Sequence, residues 1–481
     1  MQGLLYLTVT IIDGDWLVEK IEVSPVLYGG EEVTLHRKIN KELFISYSMM
    51  VVKDFFDARS IAVVGASRDS GKVGNVIFRN ALRSGLKVYP VNDKSREVMG
   101  QRAFKDLLEI PHEVDLVVIS VPAKAVSLVL RQMQKKKIML AIIISSGFSE
   151  GGNDILEKRI LRIAEESGIK ILGPNCFGLI DVDRKLNLTY FEGEVKKGDI
   201  AFISQSGAIG SVVLDRGIGL SGFVSLGDSS QIDFSELINY YSKDKNTKAI
   251  AIYMESLHVG RGEDFIRACK SCKKPIVILK AGKSKGGAHA AKTHTASLAS
   301  EKGVYSGIFE QVGTIEVNSI SQLFDVARIK SKYGEIGKNA IVVTNAGGLG
   351  VLVADYCDEE KINLLKISEG TLKHLDLVLS RNWSRRNPVD LAGDALAKDY
   401  MVAIGSLSKE KFDFFIVLLT SQHMSEVMKT AKVISKIRKP VFVCFAGGEK
   451  VLEAKNFFDK EGIINFEDPK EMCEAIGKAI L

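Results

Sequence analysis

The stretch AFISQSGAIG, at residues 201–210, decides the fold of this chain, together with AIVVTNAGGLG at residues 340–350. Each contains a hydrophobic strand, a polar residue, a run of small residues and glycines, and then the start of a helix. A strand that turns directly into a helix opens an α/β unit, and two such openings indicate an internal repeat. The two helix N-termini could face one shared anion, although ordinary doubly wound architecture explains their spacing equally well.

The same pattern of strand, loop and helix runs through the chain from residue 55 onward. Short apolar runs such as SIAVVGAS, at residues 60–67, alternate with helical patterns of about 10–15 residues, which predicts parallel sheets covered on both faces. We therefore predict three α/β units after an N-terminal stretch of different character, which is either a small appendage or an over-extended start. The predicted boundaries are 1–53, 54–181, 182–335 and 336–481.

The composition is that of an ordinary globular protein. The 481 residues are 46% hydrophobic and 26% charged, with a formal net charge of +6. No apolar run reaches the roughly 18 residues of a membrane helix, and the N-terminus lacks the basic start of a signal peptide. The six cysteines are scattered, and the basic residues form no block with interleaved aromatic residues. We expect a cytoplasmic protein that binds neither membranes nor nucleic acid, and its positive charge suits anionic small molecules.

A glycine-rich loop, VVGASRDSGKVG at residues 63–74, follows a strand and opens a helix, as a phosphate-binding loop requires. Its glycine spacing departs from the dinucleotide pattern, and no acidic residue ends the next strand, VYPVNDK at residues 88–94. NAD is therefore disfavoured. Asn92 and Lys94 suit a phosphorylated nucleotide better than a bare ribose, and the sequence favours a ligand-binding loop over a plain tight turn.

One histidine, His294, lies in a segment of small residues and hydroxyls, AAKTHTASLAS at residues 290–300. A neutral imidazole is a nucleophile near neutral pH, and a carboxylate best holds its second nitrogen. Glu255, at the end of the strand AIAIYME, is a candidate for that carboxylate. The local sequence alone nevertheless favours a structural histidine over a nucleophile.

We predict no metal site in this chain. Cys269 and Cys272 have the spacing of one zinc-binding pair, but no second pair follows at a suitable distance. The loop RNWSRRNPVDLAGDA, at residues 381–395, either lines a site or serves as turn chemistry.

Taken together, the motifs resemble the α subunits of ADP-forming acetyl-CoA synthetases, within the succinyl-CoA synthetase superfamily. The resemblance runs from about residue 55 to the end, with the motifs in family order. They are FFDARSIAVVGAS (55–67), ILGPNCFGLID (171–181), FISQSGAIG (202–210), KTHTASLA (292–299), TNAGGLGV (344–351) and NPVDLAGDA (387–395). A succinyl-CoA synthetase α subunit itself resembles only the first two units.

The resemblance implies a three-step reaction. Inorganic phosphate attacks an acyl-CoA, giving an acyl phosphate and CoA. The acyl phosphate then transfers its phosphoryl group to a histidine, here matched by His294 and oriented by Glu255. The mobile histidine segment finally carries the group to ADP, which becomes ATP.

The resemblance also implies the fold and the binding residues. The implied fold is α/β, with a Rossmann-like CoA-binding domain followed by two flavodoxin-like doubly wound domains. The residues matched to CoA binding are Ser70, Gly71, Lys72, Val73, Lys94, Ser145, Ser146 and Gly147. The residues matched to phosphate binding are Ser204, Gln205, Ser206, Gly207, Asn345, Ala346, Gly347 and Gly348.

A nucleotide site is expected on a partner subunit. The chain has neither a recognisable ATP-grasp domain nor a Walker-type phosphate loop. The resemblance therefore implies a separate ATP-grasp β subunit that binds ADP or ATP with Mg²⁺, in an assembly that is often α2β2. In other members of the family the two parts are fused.

The chain departs from the family pattern in two loops. Ala296 and Ser300 replace glycines beside His294, and less glycine could stiffen the segment. Asp228 and Ser230 depart from the usual GNKADID pattern, which could alter acyl preference. A non-catalytic CoA-binding or regulatory homologue is the alternative, and the presence of both His294 and Glu255 favours the enzyme.

Overall fold

A computed structural model describes residues 5–12, 15–23, 52–258, 260–284, 286–287 and 302–480. At the N-terminus, β1 (Leu5–Ile12) and β2 (Asp15–Val23) form an antiparallel hairpin. The other residues up to residue 51 of the predicted extension lie outside the described residues.

The first α/β unit has a five-stranded parallel sheet in the order β4-β3-β7-β8-β9. Every residue of its three inner strands, β3, β7 and β8, is buried, because helices cover both faces of the sheet. A two-stranded ribbon, β5 with β6, lies after β4. These strands are β3 (Ser60–Val64), β4 (Lys87–Val91), β5 (Glu97–Val98), β6 (Gln101–Arg102), β7 (Leu116–Ile119), β8 (Leu140–Ile143) and β9 (Lys170–Leu172).

The second unit has a seven-stranded sheet in the order β11-β10-β13-β12-β14-β15-β16. Five strands are parallel, and β10 and β11 add an antiparallel edge. Because β10 pairs with β13, the chain changes sheets just before the predicted boundary at residue 181. These strands are β10 (Leu179–Asp181), β11 (Leu186–Asn187), β12 (Lys197–Ser204), β13 (Leu220–Ser225), β14 (Ala249–Met254), β15 (Ile276–Lys280) and β16 (Ile315–Val317).

The third unit has a parallel sheet in the order β18-β17-β20-β21-β22, with β19 also paired to β17. Numbered within each unit, and with the two-residue strand β19 left out, the parallel strands of all three sheets follow the order 2-1-3-4-5, which is the flavodoxin-like arrangement. The predicted α/β class is confirmed. These strands are β17 (Asn339–Thr344), β18 (Asn363–Leu364), β19 (Val389–Asp390), β20 (Phe414–Thr420), β21 (Val441–Ala446) and β22 (Ile464–Phe466).

Helices connect the parallel strands, and several start at a capping side chain. Asp233, for example, closes a capping box with Glu236. None of the described helices is long and apolar enough to cross a membrane. The helices are α1 (52–57), α2 (Val73–Arg83), α3 (Ala123–Lys136), α4 (Asp154–Ser167), α5 (Gly207–Asp215), α6 (Phe234–Lys243), α7 (Gly262–Ser271), α8 (Lys302–Gln311), α9 (Ile320–Tyr333), α10 (Gly347–Glu359), α11 (Glu369–Val378), α12 (Ala397–Leu407), α13 (Val427–Ile434), α14 (Glu449–Lys460) and α15 (Pro469–Ile480).

The cores of neighbouring units are continuous. One apolar cluster contains Phe78 of the first unit and Ile252 of the second. Another contains Phe202 of the second unit and Phe442 of the third. Polar contacts add to the first junction, where the Asn80 side chain donates to the carbonyl oxygens of Thr189 (2.9 Å) and Phe191 (2.8 Å). Shared cores of this kind hold the loops of adjacent units in fixed relation.

Three carboxyl groups meet where the first unit packs against the loop after β13. Asp228 accepts a hydrogen bond from the Asn175 side chain at 3.3 Å, and Glu157 accepts one from the Ser230 hydroxyl at 2.9 Å. Burial, together with the nearby charge of Glu150, raises the pKa of Asp228 to about 7. Asp228, which departs from the family pattern, thus places at this junction a carboxyl group that ionises only near neutral pH.

Replacing Asp228 with asparagine tests this electrostatic cost. The folded-state pKa lies above the ordinary value of 3.8, so the wild type loses stability as pH rises from about 4 to 7. We expect Asp228→Asn to melt about 2–4 °C higher than wild type at pH 8. At pH 5 the difference should shrink, and differential scanning calorimetry at both pH values measures it.

The control is Asp93→Asn, which changes an exposed carboxylate in a loop of the first unit. It should melt with the wild type at both pH values. An Asp228→Asn variant that melts at or below the wild-type temperature at pH 8 would contradict the expectation.

Candidate functional site

The second sheet has its crevice between β12 and β14. In an open sheet of this order, the loops after the first and third strands diverge, and ligands bind between them. The loop Ser204–Gly207 follows β12, and Glu255 follows β14. The structure thus brings together the first predicted phosphate loop and the predicted orienting carboxylate.

The Gln205 side chain joins these two loops directly. Its Oε1 atom accepts hydrogen bonds from the backbone N–H groups of Glu255 (2.6 Å) and Ser256 (2.9 Å). The backbone N–H of Gln205 also donates to the carbonyl oxygen of Tyr253 at 3.2 Å. The phosphate-binding role of Gln205 stays a prediction, and the structure adds that its amide oxygen holds the Glu255 loop in place.

The hydroxyl groups of the same loop also support its backbone. The buried Ser204 hydroxyl donates to the carbonyl oxygen of Ser206 (2.8 Å) and accepts from its N–H (3.2 Å). Ser206 caps α5 by accepting from the N–H of Ile209 at 3.3 Å. The N–H groups of Gly207 and Ala208 lie in the first turn of α5, where a helix supplies no internal acceptor. These groups are the ones placed to receive an anion.

A cavity of about 480 Å³ lies between this loop and the first unit. It brings Val73, Ser145 and Ser146, which were matched to CoA binding, to the side of Gln205, Ser206 and Gly207. Several other lining residues carried no predicted role, although two of them, Asn175 and Cys176, belong to the ILGPNCFGLID motif. The cavity is lined by Val73, Ser120, Val121, Pro122, Ile144, Ser145, Ser146, Asn175, Cys176, Tyr190, Gln205, Ser206, Gly207 and Ala208.

The predicted CoA loop is exposed at the N-terminus of α2. Ser70, Gly71 and Lys72 are all open to solvent. The Asp69 carboxylate accepts from the N–H of Gly71 at 3.0 Å, which shapes the turn before the helix. An exposed lysine beside free helix N–H groups suits the phosphates of CoA.

In the first unit, β4 ends close to the glycine-rich loop before α2. The Asn92 side chain donates to the carbonyl oxygen of Ala66 (2.6 Å) and accepts from the N–H of Lys94 (2.8 Å). The Arg68 guanidinium also donates to the Ser95 hydroxyl at 3.3 Å. Lys94 therefore stands exposed beside the glycine-rich loop, and its contact with a phosphorylated ligand stays a prediction.

The other loop matched to CoA binding, residues 145–147, is held from both sides. The Ser145 hydroxyl is buried and accepts from the N–H of Val121 at 3.1 Å. The N–H of Gly147 donates to the Glu150 carboxylate, and Gly147 has a φ of +99°, which favours glycine. Ser146, between them, is exposed at the cavity.

The loop of the third unit repeats the construction of the second. Thr344 accepts from the N–H of Ala346 at 3.0 Å, as Ser204 does from Ser206. Asn345 is buried, and its side chain bonds the N–H (2.9 Å) and the carbonyl oxygen (3.0 Å) of Thr420.

The two predicted phosphate loops do not share this cavity. None of the four predicted residues Asn345, Ala346, Gly347 and Gly348 is among its lining residues. The Asp390 carboxylate also lies beside Gly347, since a Cβ built on that glycine would fall 2.7 Å from Asp390 Oδ2. An anion shared by the two helix N-termini stays a prediction.

His294 lies outside the described residues, so its position relative to Glu255 also stays a prediction.

Burial and the charge of Glu255 raise the pKa of the neighbouring Tyr253. Among the described residues, no group of three or more His, Cys, Asp and Glu side chains is placed to hold a metal ion.

Comparison with known proteins agrees with this architecture. Residues 59–181 match the family model of a CoA binding domain, and residues 197–330 match that of a succinyl-CoA ligase like flavodoxin domain. The chain is 36% identical over 440 residues to the α subunit of acetate–CoA ligase (ADP-forming) II of Pyrococcus furiosus, covering 88% of this chain and 95% of that protein.

Two further likenesses concern a longer relative and a solved structure. The chain is 40% identical over 430 residues to acetate–CoA ligase (ADP-forming) I of Archaeoglobus fulgidus, which is 88% of this chain but only 62% of that protein. The dinucleotide forming acetyl-coenzyme A synthetase 1 of Ca. Korarchaeum cryptofilum, solved in complex with phosphate and ADP, superposes with a TM-score of 0.83. It is 35% identical, with 88% of this chain and 94% of that one covered. The chain therefore belongs to the ADP-forming acetate–CoA ligase family of enzymes, in which it corresponds to the α subunit.

Proposed function

We propose that this chain carries out the acyl-transfer and histidine-phosphorylation steps of an ADP-forming acyl-CoA synthetase, with acetyl-CoA as the first substrate to test. The complete reaction converts acyl-CoA, phosphate and ADP into the acid, CoA and ATP. The observation that carries the proposal is the cavity in which Ser145 and Ser146 face the loop Gln205–Gly207. The same loop is bonded to the backbone of Glu255.

In the first step, the thioester lies in this cavity and phosphate lies at the start of α5. The backbone N–H groups of Gly207 and Ala208 hold the phosphate, and the helix dipole favours its negative charge. A phosphate oxygen attacks the thioester carbon, the C–S bond breaks, and CoA leaves as a thiolate that takes up a proton. The product is an acyl phosphate, still held at the helix end.

In the second step, a ring nitrogen of His294 attacks the phosphorus of the acyl phosphate. The P–O bond to the acyl group breaks, and the acid leaves as its carboxylate. Glu255 accepts the N–H of the other ring nitrogen, which stabilises the positive charge that develops on the ring. The fixed Glu255 backbone prepares the carboxylate for this role.

In the third step, the phosphohistidine transfers its phosphoryl group to ADP, which becomes ATP, and the imidazole of His294 is regenerated. The ADP is bound on a separate ATP-grasp subunit, which also binds Mg²⁺. We propose an α2β2 assembly for the complete enzyme. The relatives of this chain carry the names of ligases, and this favours the enzyme over a non-catalytic CoA-binding homologue.

The phosphohistidine is tested by labelling. Purified chain, with and without an ATP-grasp partner, is incubated with acetyl-CoA and ³²P-labelled phosphate. Acid-labile label should appear on the wild type and be absent from His294→Ala, because the alanine offers no nitrogen to attack phosphorus.

His374→Ala is the matched control, because it removes an exposed histidine on α11 of the third unit. It should take up label at the wild-type rate. Undiminished label on His294→Ala would refute the assignment of the phosphorylated residue.

The CoA loop is tested by binding. Lys72→Ala should weaken CoA binding about tenfold at low salt, because a charge-assisted hydrogen bond to phosphate contributes roughly 1.5–3 kcal/mol. The loss should shrink in high salt, which screens exposed charges. Isothermal titration calorimetry at two salt concentrations measures both effects.

Lys135→Ala serves as the control, since Lys135 is exposed in the last turn of α3, whereas the cavity lies beside the residues just before the first turn of that 14-residue helix. It should bind CoA as the wild type does. Equal affinities for Lys72→Ala and Lys135→Ala would exclude Lys72 from the CoA site.

A further inference from the structure

Lys280 is a buried lysine that the proposed steps leave without a role. It is the last residue of β15, and only 6% of it is exposed. Its ammonium donates to the carbonyl oxygen of Glu255 at 2.7 Å and to that of Ala281. A buried cation loses much of its hydration, which is unfavourable unless its surroundings compensate it, so the burial of Lys280 at this point needs an explanation.

The ammonium and the Gln205 amide together hold the Glu255 backbone. Gln205 accepts the N–H of Glu255, and Lys280 donates to the carbonyl oxygen of the same residue. With both peptide groups bonded, the backbone of Glu255 cannot turn, and the starting direction of its side chain is set. The two contacts come from different strands, β12 and β15, on either side of β14.

Lys280 also contacts the helix that follows the histidine segment. Its ammonium lies 4.5 Å from the ring centroid of Tyr305 in α8, a cation–π contact. The Tyr305 hydroxyl in turn accepts from the N–H of Leu257 at 3.0 Å, two residues after Glu255. Residues 280 and 305 lie on either side of His294 in the chain. Both ends of that segment therefore meet at the Glu255 loop, with Lys280 between them.

We propose that Lys280 is a positioning residue for phosphorylation of His294, because its ammonium locks the Glu255 loop to both ends of the segment that carries the histidine. This inference rests on the proposed function. Lys280 acts through Glu255 and Tyr305 and need not contact the phosphoryl group. Its loss should slow the phosphorylation step and leave CoA binding, which lies on the first unit, unchanged.

The test measures the single-turnover rate of labelling from acetyl-CoA and ³²P-labelled phosphate, in the complex with the partner subunit. CoA affinity is measured on the same samples. Lys280→Met keeps most of the length of the side chain and removes the charge, and it should label about 10–100-fold more slowly with CoA affinity within about twofold of wild type. Glu255→Gln should show the same split between rate and affinity.

Lys283→Met is the matched control. Lys283 lies three residues along the chain, but its ammonium contacts Glu316 (3.1 Å) and Asn318 (3.0 Å) instead of the Glu255 loop. It should label at the wild-type rate. Labelling of Lys280→Met at the wild-type rate would overturn this inference and leave the proposed function intact. The same conclusion would follow if Lys280→Met lost labelling rate and CoA affinity in parallel. An unlabelled wild type would overturn the proposed function, and this inference with it.

A second measurement applies if Lys280→Met does not fold. Burial lowers the pKa of Lys280 to about 8, against the opposing charge of Glu255. Lys283 and Glu316 also act on it, and the Tyr305 ring packs against it. The wild-type labelling rate should fall as pH rises through about 8, because the ammonium is lost. Lys280→Arg keeps its charge and should stay active to higher pH, whereas coincident pH profiles would overturn the inference.

Discussion

The hydrogen bonds between the Gln205 side chain and the backbone N–H groups of Glu255 and Ser256 are the contacts on which the candidate site depends. The two loops diverge from neighbouring strands, and without a link their separation would depend on packing alone. The side-chain amide of Gln205 supplies that link through two hydrogen bonds. It also places the only predicted carboxylate beside the helix N-terminus that is placed to receive phosphate.

Much of the fold could be predicted from the sequence, because fully buried parallel strands are written as uninterrupted apolar runs. β3 and β14 are of this kind, and each was expected where it lies. The antiparallel edge formed by β10 and β11 was not expected. These strands have three and two residues, too few to show a period, and their pairing with β13 is set by tertiary contacts.

The candidate site was less predictable. Glu255 and the loop after β12 could be found because a strand end followed by small residues has a recognisable pattern. The role of Gln205 as a strut could not, because its acceptor role depends on a residue 50 positions away. Lys280 was missed for a similar reason: a lysine at the end of a strand normally extends into solvent. Only the structure shows its ammonium enclosed by Tyr305 and two carbonyl groups.

The repeat between the second and third units explains why one of them carries the acid. Ile203 pairs with Ile252, and Val343 pairs with Val417, so Glu255 and Thr420 occupy equivalent positions three residues further along. In each unit an amide side chain at the end of the first strand bonds the backbone of that residue. The shared frame is therefore a structural device that brackets the end of the third strand. The second unit differs in presenting a carboxylate, that of Glu255, from this frame, where the third unit presents the Thr420 hydroxyl.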